Sequence, residues 1–235
     1  MSVAEDNKKF AEKMKTLLML RSEPVAIKLV RKGDAYPEGY VEPEKQMSHC
    51  QAVMGARNGN SYKMTAEMQG CNVGAATLSI VPRPEKVKTG EFHAGIGIHE
   101  SAEASKNMIA AAVDVPFQSE GEVVCPLKDA TFEPDVVAFV DIPERIYWFE
   151  AFMTRKVGGR VQYSTAPFQC ACEDITAVPI VTGKPNISIG CFGCRKRTDM
   201  KPDEMAIGVP YALIPEMVST LDVYKDGVFT KAKRD

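Results

Sequence analysis

The sequence predicts an α/β (α+β) fold, a mixed sheet flanked by helices, in a single domain covering 1–235. Three observations carry that prediction. Runs rich in β-branched residues alternate with segments of helical periodicity from one end of the chain to the other. No Pro/Ser/Gly-rich stretch divides the 235 residues, a length that suits one large domain. Hydrophobic residues make up 45% of the chain, enough for a core that needs no disulfide or metal staple.

The elements follow in order. Phe10, Met14, Leu17 and Leu18 share one face of a first helix. Pro24 opens a strand over 25–30, and Pro37, Gly39 and Pro43 mark the loop after it. Residues 44–57 read as a helix carrying Cys50, ended by the turn Asn58-Gly59-Asn60. A short strand and then Cys71 follow, with a short helix over 75–80. Ser101 is placed to cap a helix reaching Val113. Residues 123–125 and 136–140 read as strands, and 142–153 as a helix opened near Pro143. A strand over 186–189 leads straight into Cys191, and 205–209 is the last strand. Pro215 opens a final helix with Met217, Val218 and Leu221 on one face, and the polar tail 231–235 is expected to fray.

A faint internal repeat relates roughly 22–113 to 133–223. Ala52-Val53-Met54 resembles Ala151-Phe152-Met153, Thr65-Ala66 matches Thr165-Ala166, and Gln69 matches Gln169. Chance similarity is one reading. Duplication into two pseudo-symmetric lobes is the other, and it would set Cys71 opposite Cys172 across a central site.

Composition excludes several classes. A net charge of −2 and a pI of about 6.0 give no global footprint for nucleic acid. Arg195-Lys196-Arg197 is the local candidate for binding an anion. Lysines interrupt the apolar stretch near the N-terminus, so no signal peptide is expected, and no run reaches the roughly 20 residues of a membrane span. A cytoplasmic protein with reduced thiols is expected, and an odd cysteine count argues against a complete disulfide framework. A homodimer is expected only from base rates. No Walker loop, HExxH or nucleophile elbow is present.

Seven cysteines against three histidines put thiolate chemistry at the centre. Four are crowded together as Cys170-Ala-Cys172 and Cys191-Phe-Gly-Cys194, Cys50 and Cys71 lie upstream, and Cys125 reads as a small buried hydrophobe. Sulfide-bridged iron is soft and takes thiolates, and glycines beside Cys71, Cys191 and Cys194 would let backbone N–H groups approach the sulfurs. The leading reading is therefore an iron–sulfur cluster held by both halves of the chain. A structural zinc site uses the same residue type, but one CxxC and scattered cysteines resemble a zinc ribbon poorly. A metal-free dithiol at Cys191 and Cys194 is the third reading. Against it, the basic run after the CxxC would oppose the dipole at a helix start, so no helix is expected there. His49 is read as a capping or surface residue. The Gly95-Ile96-Gly97 between His93 and His99 lacks the pattern of a dinucleotide motif, so no cofactor is assigned to it. Trp148, between Tyr147 and Phe149, is read as core.

Cys191-Phe192-Gly193-Cys194-Arg195, followed by Asp203-Glu204-Met205-Ala206-Ile207-Gly208-Val209-Pro210, resembles the ending of domain-of-unknown-function family 169, found in archaea and anaerobic bacteria. That ending is Cys-x-Gly-x-Arg and then acidic-Glu-Met-x-x-Gly-x-Pro. His49-Cys50, the Gly59 turn, Cys71, Pro134-Asp135-Val136-Val137 and Ala171-Cys172-Glu173 extend the resemblance over most of the chain. It implies four matched cysteines, Cys50, Cys71, Cys172 and Cys191, which equal the complement of one [4Fe–4S] cluster with a redox or electron-transfer role. It also singles out Arg195 as the cofactor-contacting member of the basic run. Cys194 stands where aspartate is expected, as a substitute ligand or a neighbouring thiol, and Cys170 and Cys125 are extra. No reaction is implied, so the partner is an unspecified redox protein or small molecule.

Overall fold

Strands β1 (Val25–Arg31), β2 (Tyr62–Thr65), β3 (Ser119–Pro126), β4 (Val136–Asp141), β5 (Asn186–Ser188) and β6 (Met205–Pro210) form one sheet in the order β2-β3-β1-β4-β6-β5. The computed structural model describes residues 2–232. The last three residues of the tail expected to fray lie outside them. Helices and strands intermix as expected, and every pairing within the sheet is antiparallel. The directions arise because β1 and β4, the two central strands, run against one another and each neighbour reverses again.

Alternation along the central strands sends side chains to two layers. Ala26, Val137, Phe139, Ile207 and Val209 face a layer built by α1 (Val3–Leu17), α7 (Pro143–Thr154) and α10 (Ile214–Lys225). Local chemistry starts these helices where expected: a Ser2/Glu5 capping box opens α1, and Pro143 and Pro215 occupy first-turn positions of α7 and α10. Trp148 packs in this layer against Phe229 and Tyr224. Val25, Ile27, Ala138, Val140 and Ala206 face the other layer, where α2 (His49–Arg57) and a π-helix over Cys170–Ala177 lie on the sheet. Helices α3 (Asn72–Thr77), α4 (Glu85–Lys88), α5 (Glu91–Ala94), α6 (Ala102–Ala110), α8 (Val178–Thr182) and α9 (Phe192–Arg197) complete the described residues.

Three expected boundaries move for local reasons. The helix expected over 44–57 starts only at His49, because Ser48 caps it in a box with Gln51 and Met47 bridges to Gln69 instead. The helix expected over 75–80 runs from Asn72 to Thr77, and Ser79 takes a left-handed φ of 55° just beyond it. Ser101 caps α6 as expected, but the helix ends at Ala110.

The two halves of the sheet share one register. Val25 pairs with Pro126 as Val136 pairs with Pro210, and Tyr62 pairs with Val124 as Asn186 pairs with Gly208. Ala26 and Val137 pair at the centre. This equivalence is not the residue match read from the sequence. Ala52-Val53-Met54 sits on α2 and Ala151-Phe152-Met153 on α7, in opposite layers. By topology, the segment before the edge strand is α2 in one half and the π-helix with α8 in the other. Past the edge strand, Cys71 and Cys191 are each the N-cap of a short helix.

The π-helix rests on β6 through Gly208. A Cβ there would meet the Ile175 carbonyl oxygen at 1.9 Å, so only glycine admits this approach. Gly208→Ala is expected to cost about 1–3 kcal/mol through overpacking, read as a lower urea midpoint at unchanged slope.

Candidate functional site

Six of the seven cysteines line one cavity of about 270 Å³. Cys50 lies in the first turn of α2, its sulfur 3.1 Å from the Ser48 hydroxyl. Cys71 caps α3, and α3 reaches Cys172 closely enough that a Cβ at Gly74 would sit 3.3 Å from its sulfur. Cys170 and Cys172 come from the π-helix, which starts after Gln169 in a left-handed conformation (φ 65°). Cys191 caps α9 and accepts the Cys194 N–H at 3.3 Å. The CxxC therefore does open a helix, contrary to expectation. The basic residues oppose no dipole, because α9 is so short that they occupy its last turn. Cys125 lies in the opposite layer, beside the Tyr40 hydroxyl.

The sulfurs act on one another electrostatically, Cys170 on Cys191 and Cys194, and Cys194 on Cys50. The Cys194 contact, helped by Ser48, holds the Cys50 thiol below its ordinary range despite burial. Cys191 is pushed up by its Cys170 contact and then by burial, and Cys172 well up by burial. For Cys194 the Cys170 contact pulls downward, but the Cys50 contact and burial outweigh it and carry the thiol to about 12. Cys170 likewise reaches about 12, its Cys191 contact outweighed by Cys194 and burial. Such thiols stay protonated by themselves, since burial penalises several adjacent anions. A bound metal supplies the positive charge that deprotonates them. Among the described residues no three His, Cys, Asp or Glu side chains are grouped as a site for a metal ion.

Beneath the cavity runs a fully buried polar chain. His49 Nδ1 is 2.6 Å from Glu122 Oε2 and Nε2 is 3.1 Å from Thr176 Oγ1, while the Gln69 amide donates to Glu122 Oε1. The Thr176 hydroxyl donates its hydrogen to the Ala171 carbonyl, so it accepts from His49. His49 Nε2 is then the donor to Thr176, and Nδ1 shares a hydrogen with the Glu122 carboxyl. His49 is thus neither cap nor surface residue: it ties α2 to β3 and to the π-helix that carries Cys170 and Cys172.

Arg195 does not line the cavity. Its guanidinium donates to the carbonyls of Ile189, Lys201 and Glu204, clamping the loops on either side of α9. Its neighbours Lys196 and Arg197 line the cavity instead. The far wall is aromatic: Phe92, Phe168 and Phe192 with Ile96 and His93. His93 is 2% exposed, stacks on Phe168 at 4.6 Å, and burial pushes its pKa down to about 4. The unfolded chain takes up a proton near pH 6.5 that the folded chain resists until about pH 4, so stability is full above pH 6.5 and falls on acidification through that window. His93→Phe, which keeps the stack, is expected to remove about 2 kcal/mol of that loss, measured as urea midpoints at pH 7 and pH 4.5.

The model of an uncharacterised ArCR family, domain-of-unknown-function family 169, matches residues 13–220. The chain belongs to this family. An uncharacterised protein of Methanocaldococcus jannaschii is 28% identical over 218 residues, which cover 92% of this chain and 93% of that protein. No solved structure matches the chain. Among the described residues no helix is long and apolar enough to cross a membrane.

The fold brings together Cys50, Cys71, Cys172, Cys191 and Cys194 from the sequence reading, and adds Cys170. Sequence reading missed the Phe92–His93 wall and Glu122. One signal pointed to Glu122: an acid placed directly before the apolar run Val123-Val124-Cys125 in a strand buried on both faces.

Proposed function

We propose that the cavity binds one [4Fe–4S] cluster through Cys50, Cys71, Cys172 and Cys191, and that the protein works in redox or electron transfer in the reducing cytoplasm of an anaerobe. One observation carries the reading. Each pseudo-equivalent half supplies a cysteine from the helical segment before its edge strand (Cys50, Cys172) and the N-cap after it (Cys71, Cys191). Cysteines from four segments line one cavity, and dispersed ligands of this kind suit a site assembled by a whole fold. A bound cluster supplies a one-electron couple. The protein's own part is to shield the sulfurs and to set polar groups beside them: the Ser48 hydroxyl at Cys50, the Cys194 N–H at Cys191, and the Cys194 thiol at Cys50. The Arg195 clamp and the His49–Glu122 pair hold the ligand-bearing segments in register.

The helix opened by Cys191 favours the dithiol reading in its topology. Its chemistry does not, because an activated thiol has a lowered pKa and both Cys191 and Cys194 are raised and buried. Dithionite reduction is the test: partial bleaching with a new paramagnetic signal is expected, reversed by a mild oxidant. A brown protein that dithionite leaves unchanged would remove the electron-transfer role.

A further inference from the structure

We infer that the part of the cysteine cavity lined by Lys196, Arg197, Phe92, Phe168 and Phe192 is a binding site for a small organic anion with an apolar body, such as an aromatic or branched carboxylate; this rests on the cluster reading above. Three observations point the same way. First, Lys196 and Arg197 line the cavity while no aspartate or glutamate does. Neither cation forms an ion pair among the described residues, and Lys196 lies only over the Phe192 ring, 5.4 Å from its centroid. Second, the wall beside them is apolar and partly open: Phe92 is 48% exposed and Phe192 39%, with Ile96 and the buried Phe168 behind. Surface aromatics around a concavity present a face for a ligand body. Third, two buried polar atoms of this lining lack partners. His93 Nδ1 and Gln169 Oε1 make no hydrogen bond, although the Gln169 amide nitrogen donates to Thr77. Native interiors pair such atoms, so their residues carry polar capacity that a ligand in this cavity can use.

Together these features read as a ligand's outline. The charged end meets Lys196 and Arg197, the apolar body lies between Phe92, Phe168 and Phe192, and a polar group on its inner end reaches His93 and Gln169. The same cations could instead do nothing but offset negative charge on a thiolate-bound cluster, and the two roles predict different results.

The test is calorimetric titration of benzoate into anaerobically purified protein whose iron and acid-labile sulfide have been counted on the same sample. Saturable binding is expected, with benzyl alcohol, its neutral counterpart, binding at least about tenfold more weakly. Lys196→Gln and Arg197→Gln are expected to weaken benzoate by about tenfold each while leaving iron and sulfide unchanged. Both residues are exposed, so neither change threatens folding. Phe92→Ala should weaken benzoate independently of charge. A cluster-loaded protein that shows no saturable benzoate binding, or binds benzyl alcohol as well, would overturn the inference and leave the cations to balance the cluster's charge. A sample without iron and sulfide would overturn the cluster reading, and this inference with it, and the metal count tells the two failures apart.

Discussion

Replacing Cys191 with serine is expected to strip the protein of its brown colour and leave on the order of a tenth of the iron and sulfide of the parent. Cys191 is the position at which the second half of the fold delivers its N-cap sulfur, and a serine oxygen is a harder donor than a soft iron–sulfur centre prefers. The same substitution at three other positions gives the comparison. Cys71→Ser, its counterpart across the central strand pair, should behave as Cys191→Ser does. Cys125→Ser should retain full iron, because that thiol lies in the opposite layer of the sheet. Cys194→Ser should also retain the metal and shift the reduction potential, since this thiol contacts Cys50 and Cys170 without belonging to the proposed ligand set. Full iron in Cys191→Ser together with loss in Cys194→Ser would move the ligand role to Cys194.

The second large effect is on stability. Glu122→Ala is expected to cost about 2–5 kcal/mol, because it leaves the buried His49 Nδ1 and the Gln69 amide without their partner. Glu122 is 0% exposed and His49 2%, so water cannot take over the role. The loss should reach the cavity as well: Thr176, the other partner of His49, lies on the π-helix that supplies Cys170 and Cys172. Replacing both members, as His49→Leu with Glu122→Leu, should recover most of the loss, since a buried pair exchanged for packed hydrophobes is often close to neutral. Urea unfolding of the two variants measures this, and a Glu122→Ala cost below about 1 kcal/mol would show that this buried chain does not hold the layer on the sheet.

Local chemistry made most elements legible before any coordinates. The β-branched runs at 25–30 and 136–140, the cap at Ser101, and Pro143 and Pro215 in first turns each act within a few residues, and each marks a real element. The π-helix was not legible. Its seat on β6, where the Ile175 backbone lies against Gly208, joins residues far apart in the chain. Strand directions and the true equivalence of the halves are long-range for the same reason, so a match between Ala52-Val53-Met54 and Ala151-Phe152-Met153 pointed to the wrong helix pair. At the site, flanking glycines pointed to Cys71, Cys191 and Cys194, and the family resemblance added Cys50 and Cys172. Which of three consecutive basic residues faces the cavity depends on how α9 sits. Arg195 is spent on carbonyls, and Lys196 and Arg197 take the place expected of it.

The central claim is most directly tested by counting iron, acid-labile sulfide and zinc per chain in protein purified without oxygen, alongside the visible spectrum. About four irons and four sulfides with broad absorption near ~400 nm are the expected result for one cubane cluster. Zinc alone, or no metal after reconstitution with iron and sulfide, would contradict it.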